Sequence, residues 1–406
     1  MSTTTQALPS TKSLSRLLSV PLAVTFLAEF TSLTSFFLLL SVMPMLAAAA
    51  GAGSSGAGLT TGSLLLGTVT AEAAAALTIR RFGYRMVLTA GAVLLGVPAL
   101  AMLTREPQSV MLSVSFVRGL GFGLCGVVTG ALTATLLPPD RRGEGLGLLG
   151  IVSGVPAVVA LPAGVWLAGH HLAAAAAAIA AAIGVLPLAA IRWLPDGRDA
   201  HGRDAHGRDA GGDEADGREA HVRLARPARG SRRIAGVALR LPLIFAAVTI
   251  AAGVLDSFLP LAKGIPSNLS SAALLVQAII ATLSRWQAGK RGDRYGHARL
   301  LVPALAVAAL GMAAMMVLGS PAAIFTGMVL FGAGFGVLEN ATFALLIEQL
   351  PEGKASALWN FAYDAGYGAG PAAFGLLCVR TGYPAAFALT GVLILAAVPL
   401  ARRESH

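Results

Sequence analysis

Apolar residues run along this chain in long blocks separated by short polar breaks. Twelve blocks reach the roughly 20 residues a helix needs to cross a bilayer. They cover about residues 17–45, 57–79, 86–104, 110–137, 146–168, 172–194, 237–262, 271–289, 299–319, 322–350, 356–379 and 384–401. Each predicts a membrane-spanning helix, here segments 1 to 12. Gly and Pro recur inside them, which lipid-embedded helices tolerate when neighbours satisfy the freed backbone groups. The pattern stops at 196–235, where GRDA occurs at 197–200, 202–205 and 207–210 and GREA follows at 217–220. That tract alternates charge and lacks core residues, so it cannot bury enough to order itself. The expected architecture is an all-α membrane protein with twelve transmembrane helices. Residues 1–195 form one six-helix bundle, 196–235 a flexible linker and 236–406 a second bundle.

The two halves repeat one another. Gly83 in RRFGYR corresponds to Gly296 in DRYGHAR, GLGFG around Gly121 to GAGFG around Gly334, and Leu137-Pro138 to Leu350-Pro351; each pair is 213 residues apart. A constant offset at three separate anchors implies a duplicated unit and two pseudo-symmetric bundles. In so apolar a chain, parallel repeats point to a transporter with its site between the halves.

Composition agrees: 55% of the 406 residues are hydrophobic and 12% charged, with a mean hydropathy of +0.73. The net charge of +10 raises the question of nucleic acid, and its distribution answers it. With a cytoplasmic N-terminus, all but four of the 30 Lys and Arg residues fall at cytoplasmic loops, tails or helix ends. Arg105, Lys263 and Arg380 lie outside and Arg118 lies within a helix. That bias predicts both termini in the cytoplasm of a plasma membrane, with contact to anionic lipid and no nucleic-acid partner. The first apolar block is too long for a signal-peptide core. High Ala, Gly and Arg content points to a bacterial source. Cys125 and Cys378 read as small packing residues. His201, His206 and His221 in the linker have no metal-ligand spacing. Neither a metal nor a cofactor is expected. No Ser/His/Asp set or P-loop is discernible, so an enzyme or ATP-driven reading finds no support.

Between segments 8 and 9 stands Gly289-Lys-Arg-Gly-Asp293-Arg294-Tyr295-Gly296. It resembles the G-x-x-x-D-R-x-G loop motif of the major facilitator superfamily, and the resemblance extends over essentially the whole chain outside the linker. It implies that Gly289, Asp293, Arg294 and Gly296 form a gating loop that helps latch the halves in one conformation. The first-half copy departs from the pattern: Ala76 replaces the first Gly and Arg80 replaces the Asp, so the acidic latch does not carry over there. Arg118 resembles the segment 4 Arg of the superfamily's proton-coupled drug exporters. Gly366-x-x-x-Gly370-Pro371 and Gly150-x-x-x-Gly154-Val-Pro156 support close helix packing.

Charged groups at membrane depth are expensive and are functional candidates by default. The acids are Glu29, Glu72, Asp256, Glu339 and Asp364; the bases are Arg118 and Arg285. Carboxylates in excess of cations in a low dielectric take up protons. Glu29, Arg118, Glu339, Asp364 and Asp256 are therefore the candidates for proton coupling or substrate binding. Helical spacing puts Thr25, Glu29, Ser32 and Phe36 on one face of segment 1, and Asn360, Asp364 and Tyr367 on one face of segment 11, beside a Trp359 and Tyr363 stripe. Phe36, Asn340, Asn360, Tyr363 and Tyr367 are the expected cavity lining.

The resulting expectation is a monomeric bacterial inner-membrane carrier that exports a small organic compound by alternating access and proton antiport. The alternatives are uptake or facilitated diffusion of a sugar, organic acid or metallophore, and a non-transporting membrane sensor or assembly protein on the same fold.

Overall fold

The computed structural model describes residues 19–104, 106–137, 142–195 and 229–404. Arg105, Pro138, most of the linker with its three histidines, and the extreme termini lie outside the described residues.

The described chain is built of helices, as a bilayer requires, because an α-helix satisfies its backbone polar groups without water. In chain order they are α1 (Val20–Leu40), α2 (Val42–Ala47), α3 (Gly53–Gly96), α4 (Gln108–Leu136), α5 (Arg142–Gly169) and α6 (Ala173–Val185). The second half has α7 (Arg229–Phe258), α8 (Ser267–Tyr295), α9 (Ala298–Ala314), α10 (Pro321–Gln349), α11 (Glu352–Ala396) and α12 (Val398–Arg402). The twelve predicted spans map onto these. α3 carries segments 2 and 3, folded back at Gly83 (φ 80°), and α11 carries segments 11 and 12, folded back at Gly382 (φ 75°). The turn between α8 and α9 is made at Gly296 (φ 89°). Gly83 and Gly296 are repeat partners, and both adopt a left-handed conformation in which a Cβ would be strained. α7 begins at Arg229, inside the stretch assigned above to the linker. Ser19 starts α1 by accepting a hydrogen bond from Leu22 N at 3.4 Å, and Ser320 starts α10 likewise from Ala323 N at 3.4 Å.

Large apolar side chains such as Leu66, Leu77, Leu376 and Val379 stand exposed around the helices. On a water-facing surface such a belt would drive association, whereas a helix that crosses a bilayer turns such a face to lipid. Within the first half α3 packs against α4 and α1 against α5; within the second, α8 against α10, α7 against α11 and α9 against α10. The halves meet along two lines, α3 with α11 and α5 with α8. The largest apolar cluster crosses that boundary, joining Leu40, Leu64 and Leu65 to Phe258, Phe374 and Phe387.

The helix directions define two ends of the molecule. Val20, Gly83, Tyr295 and Arg402 lie at the end nearest the termini, the terminal side; Leu40, Gly169, Ser267 and Gly382 lie at the far side. The halves are zipped together toward the far side. A Cβ on Gly58 would overlap the Pro371 carbonyl, one on Gly375 would overlap the Ser54 carbonyl, and one on Gly368 would strike Leu65. Hydrogen bonds cross the same seam. Ser41 Oγ donates to the Asp256 carbonyl at 2.5 Å, Thr61 and Ser257 hydroxyls meet at 3.0 Å, and Ser54 and Tyr383 hydroxyls meet at 3.3 Å. Toward the terminal side, Gly126 and Gly130 on α4 and Gly150 and Gly154 on α5 border open space.

Candidate functional site

Glu29 sits mid-α1, and two other helices of its bundle reach it. Its carboxylate accepts hydrogen bonds from Thr129 Oγ1 on α4 and from Ser153 Oγ on α5 at 3.4 Å. The rest of the predicted face is packed: Thr25, Ser32 and Phe36 are buried, and Phe36 stacks on Phe122 of α4 at 4.0 Å. Phe36 is thus a packing residue in this conformation, and Glu29 stands as the face's ionisable group.

Arg118 is 1% exposed. Its Nη1 donates to the Leu95 carbonyl at 2.7 Å and its Nη2 to the Ser35 carbonyl at 2.9 Å. The guanidinium thereby ties α4 to α3 and α1. Thr129, which holds Glu29, lies 11 residues further along α4, about 16 Å at the helical rise. Arg118 and Glu29 therefore occupy different levels of the bundle.

The second half carries an aromatic ladder on α11, whose rungs recur every fourth residue as helical geometry dictates. Trp359, Tyr363 and Tyr367 follow one another with ring centres 5.8 and 5.4 Å apart. Phe245 of α7 stacks on Trp359 at 4.6 Å, and Trp359 Nε1 donates to Thr342 Oγ1 of α10 at 3.3 Å. Tyr367 OH donates to the Asp256 carboxylate of α7. Glu339 of α10 is paired with Arg285 of α8 at 2.8 Å. Beside it, the Asn340 Oδ1 is buried without a hydrogen-bond partner among the described residues. Asn360 is exposed, while Asp364 is buried. Asp364 is hydrogen-bonded to Glu72 of α3, across the boundary between the halves.

The balance of charge is now specific. Arg285 neutralises Glu339, and the hydrogen bonds described for Arg118 go to backbone carbonyls. Glu29 and Asp256 are held by hydroxyl groups, and Glu72 and Asp364 by each other. The structure thus gathers Asp256, Glu339, Asp364, Tyr363 and Tyr367 around α11 and leaves Glu29 in the other bundle. Glu72 is not among the coupling or binding candidates named from sequence, since nothing in α3 alone shows that it faces a second carboxyl group.

At the terminal side, Asp293 has 81% of its side chain exposed, so the predicted latch is not packed against the other half here. His297 lies between Asp293 at 3.9 Å and Glu348 at 3.4 Å. A recess of about 460 Å³ at this loop, lined by Gly292, His297 and Leu345 among others, lies away from the membrane carboxyl groups. Arg294 rests over the Tyr295 ring at 5.2 Å.

The sequence pattern of the Major Facilitator Superfamily matches residues 25–356 and 292–405. A tetracenomycin C resistance and export protein of Streptomyces glaucescens is 35% identical over 114 residues, covering 27% of this chain and 21% of that relative's length. The fold superimposes on a D-xylose–proton symporter with a TM-score of 0.73 at 15% identity, covering 94% of this chain and 96% of the other. A POT family transporter in complex with 5-aminolevulinic acid gives 0.73 at 12% identity, covering 95% and 96%. The family pattern spans most of this chain, whose repeated bundles share the fold of these solved transporters, and the chain belongs to the major facilitator superfamily of transporters.

Proposed function

We propose that this carrier exports a small organic compound from a bacterial cell by alternating access, driven by inward movement of protons. The observation that carries the reading is the set of membrane carboxyl groups without a cation partner among the described residues, Glu29 in one bundle and Asp256 and Asp364 in the other. A carboxyl group at membrane depth without a fixed cation is a functional candidate by default, and each of these can exchange a proton for a cationic or hydrogen-bonding substrate group. The positive-inside bias supports a cytoplasmic terminal side for a carrier of the plasma membrane. On that assignment the far-side seam is the closed external gate, and substrate enters from the cytoplasm.

The substrate lies between the bundles. Trp359, Tyr363 and Tyr367 offer ring faces, Asn340 offers a free acceptor, and Glu339 with Arg285 offers a polar end. Arg118 holds α1, α3 and α4 in register. Asp293 and Arg294 close the cytoplasmic side when the external gate opens. Export rather than uptake is favoured by the Streptomyces relative, a resistance and export protein; the fold is shared with a proton symporter and is neutral on direction.

The test begins with a toxin-resistance screen in an efflux-deficient host, with Glu29→Gln and Asp293→Asn as controls. A substrate found there is then followed in reconstituted vesicles under an imposed proton gradient. Glu29→Gln should lower proton-driven efflux by at least about tenfold, the scale of one lost charge-assisted interaction. Unchanged proton-driven flux in this variant would overturn the assignment of Glu29. Collapsing the gradient in cells should raise substrate retention; lowered retention would establish uptake instead.

A further inference from the structure

The far-side seam ends, going inward, at two carboxyl groups. Gly368 of α11 packs on Leu65 of α3. Glu72 lies seven residues beyond Leu65 on the same face of α3, and Asp364 lies four residues before Gly368 on the same face of α11. The two helices run in opposite directions, so both steps lead toward the terminal side. The carboxyl groups meet there in a hydrogen bond. Asp364 is buried, and Glu72 is partly exposed.

We propose that Glu72 and Asp364 form a proton-operated clasp between the two bundles, sharing one proton when the far side is closed and repelling when that proton is lost. Two carboxyl groups in contact cannot both be ionised, and the hydrogen bond between them contains a proton. When it leaves, the O–H bond of the clasp breaks, the proton passes to water on the terminal side by way of the partly exposed Glu72, and two carboxylates remain facing each other. Their repulsion, little screened at this depth, acts directly on the α3–α11 line where the seam begins. Proton loss therefore weakens far-side closure. This deepens the proton-antiport reading and rests on it for its place in the cycle: release of a proton to the cytoplasm is coupled to opening of the external gate.

The other ionisable groups around the pair have partners of their own. On α11, Tyr367 is bonded to Asp256 of α7, and Tyr363 lies within the field of Asp256, Glu339, Asp364 and Arg285. Glu339 of α10 is paired with Arg285 of α8, and Glu29 of α1 is held by Thr129 of α4. The clasp is distinguished from these by joining the two halves.

The test is conformational and needs no substrate. In a background with Cys125→Ala and Cys378→Ala, spin labels at Thr104→Cys and Val317→Cys, one on the far side of each half, report the gate as a distance. With the clasp intact, the ratio of closed to open molecules should fall with rising pH, by up to about tenfold per pH unit for one linked proton. In Glu72→Gln combined with Asp364→Asn, the amides keep a hydrogen bond without a titrating proton. The ratio should then change less than about twofold over the same range. Glu72→Asp, which keeps the charge but shortens the reach, should shift the transition to lower pH by loosening the shared proton. A full pH response in the double variant overturns the clasp, as does a pH-independent gate in the parent. If proton-driven transport fails while the clasp variants abolish the gate's pH response, the antiport reading is wrong and the clasp stands; proton-driven transport with an unaltered gate in the double variant gives the reverse.

Discussion

Arg118 shows how one residue's meaning changes once its partners are known. By residue type and depth it is a candidate for proton chemistry, because an arginine among lipid-like helices needs a reason. Its guanidinium spans the carbonyls of Leu95 and Ser35, and this makes it a brace across three helices. Arg118→Met should leave both carbonyls without this donor, at about 1–3 kcal/mol each, and lower the thermal midpoint of the purified protein in detergent. Arg118→Lys, with one compact donor head, should recover part of the loss. Any flux remaining in Arg118→Lys should keep the parental pH profile. A normal midpoint in Arg118→Met with a displaced pH profile would return Arg118 to the coupling machinery. The acids divide in the same manner: Glu339 has a cation, whereas Glu29 and Asp256 have hydroxyl donors. Residue type and depth place all of them in one class, and only their neighbours separate them.

At the scale of elements, the seam between α3 and α11 depends on close backbone approach. Gly58 lies against the Pro371 carbonyl with no room for a Cβ. Gly58→Val should therefore destabilise the far-side-closed state selectively, because the open state separates these helices. In spin-labelled protein the Thr104–Val317 distance should lengthen at every pH, and binding from the terminal side should weaken by about tenfold or more, as a shift of about 1.4 kcal/mol in the gating equilibrium implies. An unchanged distance would mean that the seam is not the gate. The elements themselves were largely legible. Twelve apolar blocks correspond to the twelve spans, and the repeated glycines Gly83 and Gly296 proved to be left-handed turns in both halves. The start of α7 at Arg229 was hidden because the RGSRR run that opens it is polar, and the polar pattern there looks like linker. Contacts between elements were not legible: small residues mark a helix as able to approach a neighbour but do not say which neighbour.

For the whole molecule, orientation decides the direction of every proposed step. The orientation proposed above from the positive-inside bias puts Lys354 in the cytoplasm and Val317 outside, and both are exposed. In intact cells expressing single-cysteine variants in the Cys125→Ala, Cys378→Ala background, a membrane-impermeant maleimide should label Val317→Cys. It should label Lys354→Cys only after the cells are broken. The opposite pattern would invert the cycle, putting the closed gate on the cytoplasmic side and favouring uptake.

Hydropathy and charge placement suffice for the class of protein because the bilayer is a uniform solvent that sorts segments by composition, and internal repetition adds the two-bundle plan. The loop motif at Gly289–Gly296 supplies the family. Which carboxyl groups meet, and where the halves are sealed, depends on helix rotation and on contacts between residues hundreds of positions apart, such as Glu72 with Asp364 and Ser41 with Asp256. No local period encodes those distances. The tertiary structure alone turns five scattered acids into an ion pair, two hydroxyl-held carboxylates and one carboxyl pair that joins the bundles.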